Sequence, residues 1–374
     1  MRSRRLGAGW LAAAMAFAGG AGAAPGNAWH IPRGAEPGIA SMRDPVLGVT
    51  PGLAVRVYSG NQFRGEGGDP GNQLQTGSAV LWRKAGAPAF AEAPMTFFAE
   101  AGNNKYYVAE LSAAGLAPGD AVEYYLRLAY DDHDTTYLFG GDDAPGVTAD
   151  EALARAAPYE FVVEPAAEPA GDFVAIDAGP WQAQVFSASG HVRLVGPGGP
   201  AAAVTVLPAV ARVGGAWRAV GATLASAPAA GGGLELEQAF GATALRAAVR
   251  FSAEGVLRYE ALDWRGAAPE RLRVSVRTPG GEHAYGLGEK FNSLDQAGRR
   301  SRLLARDVAG PKGDAAYKVA PWWLSSRGYG FHFDASYEAF FDLGAGARDR
   351  FAVDVLGGAL RYHVVGGPAP ADAL

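Results

Sequence analysis

The side chains best suited to chemistry are concentrated between His283 and Asp334. Arg306 and Asp307 are neighbours in this region, near the start of a polar segment that runs from about Arg302 to Ala316. Segments of this length inside a compact domain are usually functional or disordered. A carboxylate beside a guanidinium stays ionised and accepts several hydrogen bonds, so the pair is suited to binding. The alternative interpretation is a surface ion pair, which contributes little to stability.

Two apolar runs follow this segment and must position it. Residues Tyr317 to Trp323 predict a buried strand, Gly328 to Phe333 predict a second strand, and residues 325–327 make the turn of a hairpin. Trp322 and Trp323 are adjacent, so on a strand they face opposite sides. One of them belongs to the core and the other is available to a ligand or a second domain. We assign Trp323 as the candidate substrate contact.

Four motifs in this region carry a family resemblance. They are Tyr285-Gly-Leu-Gly-Glu289-Lys-Phe291, Arg306-Asp307, Tyr317-Lys318 and Pro321-Trp-Trp-Leu-Ser-Ser-Arg-Gly-Tyr-Gly330. In this order they resemble the amino-terminal β-sandwich of glycoside hydrolase family 31. That family contains α-glucosidases, α-xylosidases and α-transglucosidases. A looser resemblance extends over about Asp172 to Leu374 and does not cover the residues before Asp172.

The resemblance implies that different domains of a larger enzyme hold the substrate and catalyse the reaction. In family 31 the sandwich sends a loop over the mouth of a (β/α)₈ barrel, and an Arg-Asp pair on that loop holds the leaving-group side of the substrate. Arg306 and Asp307 match that position. Both catalytic carboxyl groups come from the barrel, which takes about 250 residues. Only 50 residues follow Leu324, so we expect an amino-terminal portion of an enzyme, without catalytic residues and inactive alone.

Composition favours an all-β protein of at least two domains. The chain has 374 residues, of which 49% are hydrophobic and 19% charged, and it contains 53 glycines and 24 prolines. These values are typical of many short strands that are joined by turns and enclose hydrophobic cores. Because the chain has no cysteine, disulfides and thiol catalysis are excluded.

The first residues predict a signal peptide, residues 1–23. Arg2, Arg4 and Arg5 form a basic start, an apolar run extends from Leu11 to Ala18, and small residues precede position 24. The alternative, a membrane anchor, is disfavoured because the apolar run is shorter than the roughly 20 residues that span a bilayer. Removing this segment leaves 30 basic against 38 acidic residues, a net charge of −8. We therefore expect a periplasmic or secreted acidic protein, with neither nucleic acid nor a membrane as partner.

The remaining chain predicts two β-sandwiches. Short strand-like runs between residues 28 and 163 favour an immunoglobulin- or fibronectin-like sandwich, and in one of them Val122, Tyr124, Leu126 and Leu128 alternate with polar residues. Residues 164–172 contain two prolines and small side chains, which predicts a linker. Residues 173–374 predict a larger sandwich, for which the resemblance implies a galactose-mutarotase-like supersandwich. There, Leu257, Tyr259 and Ala261 alternate with Arg258, Glu260 and Leu262.

Two further stretches have polar groups suited to binding. The loop Ser59 to Thr76 carries asparagines and glutamines that could bind a sugar. The alternative interpretation, a solvated hairpin loop, is favoured. Asp131-Asp-His-Asp134 has oxygen ligands of the kind that Ca²⁺ prefers. However, consecutive residues of an extended strand alternate sides, so a charged loop end is the favoured interpretation. We predict no metal and no cofactor.

Two functions from different classes remain open. The first is the amino-terminal portion of an exported glycoside hydrolase that acts on α-linked glucosides or xylosides, with an α-linked oligosaccharide and a separate catalytic barrel as its partners. The second is a stand-alone carbohydrate-binding or interaction protein of two sandwiches, because such folds host many unrelated functions.

Overall fold

The computed structural model describes residues 28–30, 55–62, 74, 76–102, 104–112, 115–130, 134–141, 144–199, 202–230, 232–252, 254–290, 292–305, 316–345 and 349–367. Over these ranges the regular secondary structure consists of β-strands and one short α-helix, so the predicted all-β class is confirmed. The predicted signal peptide, residues 1–23, lies outside the described residues.

The first sandwich contains two antiparallel sheets. The strands of its smaller sheet are β1 (Ala28–Trp29), β2 (Val55–Gln62), β5 (Thr96–Ala101) and β6 (Asn104–Leu111), in the order β1-β2-β6-β5. The strands of its larger sheet are β3 (Ala79–Lys84), β4 (Ala91–Pro94), β7 (Ala121–Leu128), β8 (Thr136–Gly141), β9 (Ala144–Thr148) and β10 (Tyr159–Val162). This sheet has the order β4-β3-β7-β8-β9, and β10 pairs with β7.

Alternation along β7 builds the first core as the sequence predicts. Its four predicted core residues are all at most 1% exposed: Val122, Tyr124, Leu126 and Leu128. The opposite face is covered locally by the helix α1 (Glu151–Ala156), whose Ala154 packs near Tyr125. The Tyr125 hydroxyl donates a 2.7 Å hydrogen bond to Glu151, which fixes the helix on the sheet.

His30 ties the chain after β1 to the centre of this sandwich. It is buried, with Nδ1 at 2.6 Å from the Tyr58 carbonyl oxygen and Nε2 at 2.8 Å from the Tyr124 hydroxyl. A carbonyl only accepts, so Nδ1 carries the proton and Nε2 accepts from Tyr124. Burial lowers the pKa of His30 to about 4, although the hydrogen bond to Tyr58 acts in the opposite direction.

This histidine makes the stability of the first sandwich dependent on pH. Between the ordinary pKa of 6.5 and the folded value of about 4, the unfolded chain binds a proton that the folded chain does not. Acidification across this window should therefore lower the free energy of unfolding by about 3 kcal/mol through His30 alone. Urea titrations at several pH values should show that His30→Gln removes this part of the pH dependence. Equal pH slopes in the two proteins would contradict the assignment.

The second sandwich contains the remaining strands. They are β11 (Phe173–Ala178), β12 (Trp181–Phe186), β13 (Val192–Val195), β14 (Val204–Val206), β15 (Val210–Val213), β16 (Ala216–Pro228), β17 (Leu234–Phe240), β18 (Thr243–Phe251), β19 (Val256–Trp264), β20 (Arg271–Arg277), β21 (Ala284–Gly288), β22 (Arg300–Leu303), β23 (Val319–Ser325), β24 (Tyr329–Phe333), β25 (Ala339–Asp342), β26 (Arg350–Leu356) and β27 (Arg361–Gly366).

These strands form two antiparallel sheets that β16 joins. One sheet runs β11-β12-β13-β14-β20-β26-β25-β22, and β15 also pairs with β20. The other runs β17-β18-β19-β27-β24-β23-β21. The first half of β16 pairs with β15 and its second half with β17, with register shifts between Val220 and Ala225. Such irregularities bend a strand, which lets β16 pass from one sheet to the other.

The core of the second sandwich lies between these sheets. Leu257 and Tyr259 are buried and Ala261 packs against them, so the alternation predicted along β19 is confirmed. The Tyr259 hydroxyl donates a 2.6 Å hydrogen bond to the buried Gln238 side chain. Burial raises the pKa of Tyr259, which keeps this hydroxyl protonated as a donor.

A buried charge cluster connects the two sandwiches. Glu164 follows β10, and one of its carboxylate oxygens accepts hydrogen bonds from Ser275 at 3.0 Å and from Arg350 at 2.5 Å. The other oxygen bonds to Arg273, which also donates to Asp354 at 2.8 Å. Residues 164–172, predicted as a linker, therefore begin inside an interface and not in solvent.

Apolar contacts extend the same interface. Trp217 is buried with Ala121, Val162 and Val210, so residues of both sandwiches share one small cluster. The Trp217 indole N–H donates a 2.7 Å hydrogen bond to Glu160. Polar and apolar contacts together hold the first sandwich against the sheet that carries β15 and β20.

Candidate substrate-side site

The structure defines the base of the segment that contains Arg306 and Asp307. β22 ends just before the segment and β23 begins after it, and these strands belong to different sheets of the second sandwich. Ala305 and Ala316 form a parallel bridge that brings the two ends together. Arg306 and Asp307 themselves lie outside the described residues, so their contact with substrate stays a prediction.

The Gly-Leu-Gly motif explains how β21 passes close to β23 beside this base. Gly286 and Gly288 have positive φ angles of 125° and 82°, and the pairing shifts register between them. A Cβ atom would lie 2.8 Å from the Trp322 carbonyl oxygen at Gly286 and 2.4 Å from the Lys318 carbonyl oxygen at Gly288. Only glycine fits both the angle and the space. Leu287 between them also has a positive φ, and its side chain is fully buried.

The structure corrects the assignment of Trp323 as a substrate contact. Trp323 is completely buried in the core of the second sandwich. Its ring stacks on Phe331 with centroids 4.4 Å apart, and Phe341 and Phe351 meet it edge-on. A side chain enclosed in this way cannot contact a sugar. Trp322 is the member of the pair on the opposite, outward face, where it is partly exposed.

Trp322 shares its face with two histidines. It pairs with His332 on β24, and His332 pairs with His363 on β27. The Nδ1 atoms of the two histidines are 3.4 Å apart. Burial lowers the pKa of His363, and His332 and Arg258 act in the same direction, so the neutral form is favoured. Trp322 therefore lies beside polar side chains on this face.

A buried carboxyl group that the sequence does not reveal lies at the hairpin turn after β23. One oxygen of Glu282 accepts hydrogen bonds from the Ser325 hydroxyl at 2.5 Å and the Tyr329 hydroxyl at 2.6 Å. Burial raises the pKa of Glu282, although these hydroxyls and Arg327 act in the opposite direction. Glu282 thereby fixes the hairpin that follows the candidate segment. Its other carboxylate oxygen is buried without a hydrogen bond from the described residues and lies 4.0 Å from the Arg327 guanidinium.

A His-Asp pair lines the same surface cavity of about 490 Å³ as Glu282. The Nδ1 atom of His283 lies 2.6 Å from a carboxylate oxygen of Asp295. Burial would raise the pKa of Asp295, but hydrogen bonds from Ala297, His283 and Ala284 hold it below its usual value. The pair is a hydrogen-bonding surface at the end of β21 that adjoins the hairpin turn, where the His283 N–H donates to the Ser326 hydroxyl. Sequence reasoning missed it because His283 and Asp295 are separated by a turn and match no motif.

The search for metal ligands and membrane spans concerns the described ranges only. Within them, no group of three or more His, Cys, Asp or Glu side chains is arranged to hold a metal ion. Residues 131–133 of the Asp131-Asp-His-Asp134 cluster lie outside these ranges. No helix in the described part of the chain has the length and apolar character needed to cross a membrane.

Comparison with known families identifies the class of the second sandwich. Residues 232–342 match the family model of the glycosyl hydrolase 31 N-terminal galactose mutarotase-like domain. The chain therefore carries the amino-terminal mutarotase-like domain of glycoside hydrolase family 31, and the resemblance seen in the motifs is confirmed.

Two characterised relatives match part of the chain. Alpha-xylosidase XylQ of Lactiplantibacillus pentosus is 36% identical over 93 residues, which cover 25% of this chain and 12% of the relative. Alpha-glucosidase 2 of Bacillus thermoamyloliquefaciens is 34% identical over 99 residues, covering 25% of this chain and 12% of the relative. The match thus spans only a small part of the length of either relative.

Among solved structures, the cycloalternan-forming enzyme from Listeria monocytogenes, in complex with a pentasaccharide substrate, is similar over 87% of this chain and 30% of that chain. The sequence identity is 14% and the TM-score is 0.30. A similarity at this level carries no argument about function.

Proposed function

We propose that this chain is the amino-terminal, carbohydrate-binding portion of an exported glycoside hydrolase that acts on α-linked glucosides or xylosides. The observation that carries the proposal is the match of residues 232–342 to the family 31 domain. Within this match, the bridge between Ala305 and Ala316 joins the two ends of the segment whose sequence contains Arg306 and Asp307. The names of the relatives, an alpha-xylosidase and an alpha-glucosidase, support the α-linked substrate class.

In this proposal the sandwich binds the substrate and a separate barrel provides the catalytic groups. Retaining hydrolysis needs one carboxyl group as nucleophile and another as acid and base, about 5 Å apart across the scissile bond. A (β/α)₈ barrel would supply both groups. Asp307 would accept hydrogen bonds from the sugar beyond the scissile bond, and Arg306 would orient the carboxylate and keep it ionised.

Export to the periplasm or the medium belongs to the same proposal. The basic start, apolar middle and small-residue site of residues 1–23 support it. The lack of cysteine is compatible with an oxidising compartment, because no thiol needs protection there.

The proposal is tested by Asp307→Ala in the full-length enzyme, with the barrel encoded in the same reading frame. The specificity constant kcat/KM for an α-linked disaccharide should fall by about 1.5–3 kcal/mol in free-energy terms, the range for a hydrogen bond to a charged group. An aryl α-glycoside lacks the hydroxyls of the second sugar, so its kcat/KM should change much less. The ratio of the two constants is the informative quantity.

Two variants of the same segment serve as controls. Arg306→Ala should act in the same direction as Asp307→Ala but more weakly, because its role is to orient the carboxylate. Asp314→Ala removes another carboxylate of the segment and should leave both constants unchanged. Equal losses on both substrates would show that the segment is a structural lid, and unchanged kinetics in Asp307→Ala would refute the binding role.

A further inference from the structure

The first sandwich contains a groove that the candidate site does not use. It has a volume of about 560 Å³ and lies where β4 leaves one sheet and β5 begins the other. We call it the β5–β6 groove and define it by Ser78, Met95, Phe97, Glu100, Lys105 and Tyr107. Its volume lies within the range of about 300–1,000 Å³ typical of small-ligand sites.

An exposed aromatic ring forms one wall of the β5–β6 groove. Phe97 is 58% exposed, and its ring meets the ring of Tyr107 edge-on, with centroids 6.1 Å apart. Phe97 pairs directly with Tyr107, and the register shifts immediately afterwards because Phe98 is an extra residue in β5. Bulges of this kind are over-represented beside binding sites because they re-aim a side chain. Phe98 packs inward on Tyr58, which leaves Phe97 as the outward ring.

The rest of the lining combines apolar side chains, among them Met95, with polar groups that are balanced in charge. Glu100 and Lys105 are direct partners across β5 and β6, so one acidic and one basic group face each other. Ser78 is already satisfied, since its hydroxyl accepts a 2.9 Å hydrogen bond from the Ala129 N–H. Tyr107 is buried at the floor, where burial raises the pKa of its hydroxyl and a hydrogen bond with the Leu74 backbone acts in the opposite direction. A groove with no net charge suits an uncharged ligand with many hydroxyl groups.

We propose that the β5–β6 groove binds an α-linked gluco-oligosaccharide and makes the first sandwich a carbohydrate-binding domain. The apolar face of a pyranose ring packs on the exposed Phe97 ring, and its hydroxyls pair with Glu100 and Lys105 at the rim. The choice of an α-linked sugar rests on the proposed function. The groove itself, its aromatic wall and its balanced rim do not depend on that proposal.

The test measures binding of maltotriose and isomaltotriose to the 374-residue chain by calorimetry and by saturation-transfer NMR. The wild-type chain should bind at least one of them, and Phe97→Ala should weaken binding about tenfold or more, as for truncation of a central aromatic anchor. Phe97→Trp keeps an aromatic face and should retain binding. Because Phe97 is largely exposed, thermal unfolding of Phe97→Ala should match that of the wild type, which confirms that the variant folds.

A matched control is Phe173→Ala in the second sandwich. Phe173 is 44% exposed and also rests on a neighbouring ring, that of Phe186 at 5.3 Å, so it reproduces the chemistry of Phe97 at another place. It should leave binding unchanged. No binding of either trisaccharide, or equal affinity in Phe97→Ala and wild type, would overturn the proposal. Loss of binding in Asp307→Ala alone would place the sugar at the candidate segment and refute the groove. Unchanged kinetics of Asp307→Ala in the full-length enzyme would refute the proposed function and leave the groove proposal unaffected.

Discussion

Replacing Glu164 by alanine should lower the free energy of unfolding by about 3–5 kcal/mol, the usual cost of removing one partner from a buried ion cluster. Glu164, Arg273 and Arg350 each have side chains that are at most 2% exposed. Burial opposes the charge of Arg273, but the carboxylates of Glu164 and Asp354 raise its pKa above the usual value. Without Glu164, two guanidinium groups lose a partner in a place that water does not reach.

A second glutamate a few residues later provides the control for this measurement. Glu168 forms ion pairs with Arg277 at 2.5 Å and Arg193 at 3.9 Å, but its side chain is 61% exposed. Glu168→Ala should therefore change the unfolding free energy by less than about 1 kcal/mol. Guanidinium titration measures both variants, and limited proteolysis of residues 164–172 should accelerate only in Glu164→Ala. Similar losses in the two variants would show that burial of Glu164 does not matter.

Trp323→Ala should also cost about 3–5 kcal/mol of unfolding free energy, as expected for removing a large aromatic side chain from a close-packed core. Phe331, Phe341 and Phe351 surround the indole, so the cavity left behind has few ways to collapse. The adjacent Trp322→Ala is the matched control, because Trp322 is partly exposed on the other face. It should cost less than about 1 kcal/mol. A larger loss in Trp322→Ala than in Trp323→Ala would reverse the assignment of faces.

The comparison of Trp322 with Trp323 shows where sequence reasoning failed. Strand periodicity correctly places the two indoles on opposite faces, but it does not state which face is the core. The partner strand contains that information, because His332 lies opposite Trp322 while Phe331 lies opposite Trp323. A polar residue across from one tryptophan marks the outward face. Register was unknown from the sequence, so this signal could not be used.

The strand patterns of β7 and β19 were predictable because one face of each strand is apolar and the other polar. Buried charges were not predictable in the same way. Glu164 lies in a segment rich in proline and small residues, which is typical of linkers, and Glu282 stands beside a glycine turn. Their partners come from distant positions such as Arg350 and Tyr329, and only the folded structure brings them together.

The passage of β16 from one sheet to the other limits how this protein can be divided. Residues 232–342, which match the family 31 domain, begin after β16 and exclude β26 and β27. β26 is the neighbour of both β20 and β25, and β27 separates β19 from β24. A polypeptide cut to the matched residues would therefore expose unpaired strand edges at several places, which favours aggregation. We therefore expect that residues 232–342 do not fold independently, and that the second sandwich needs β26 and β27 to pair its inner strands.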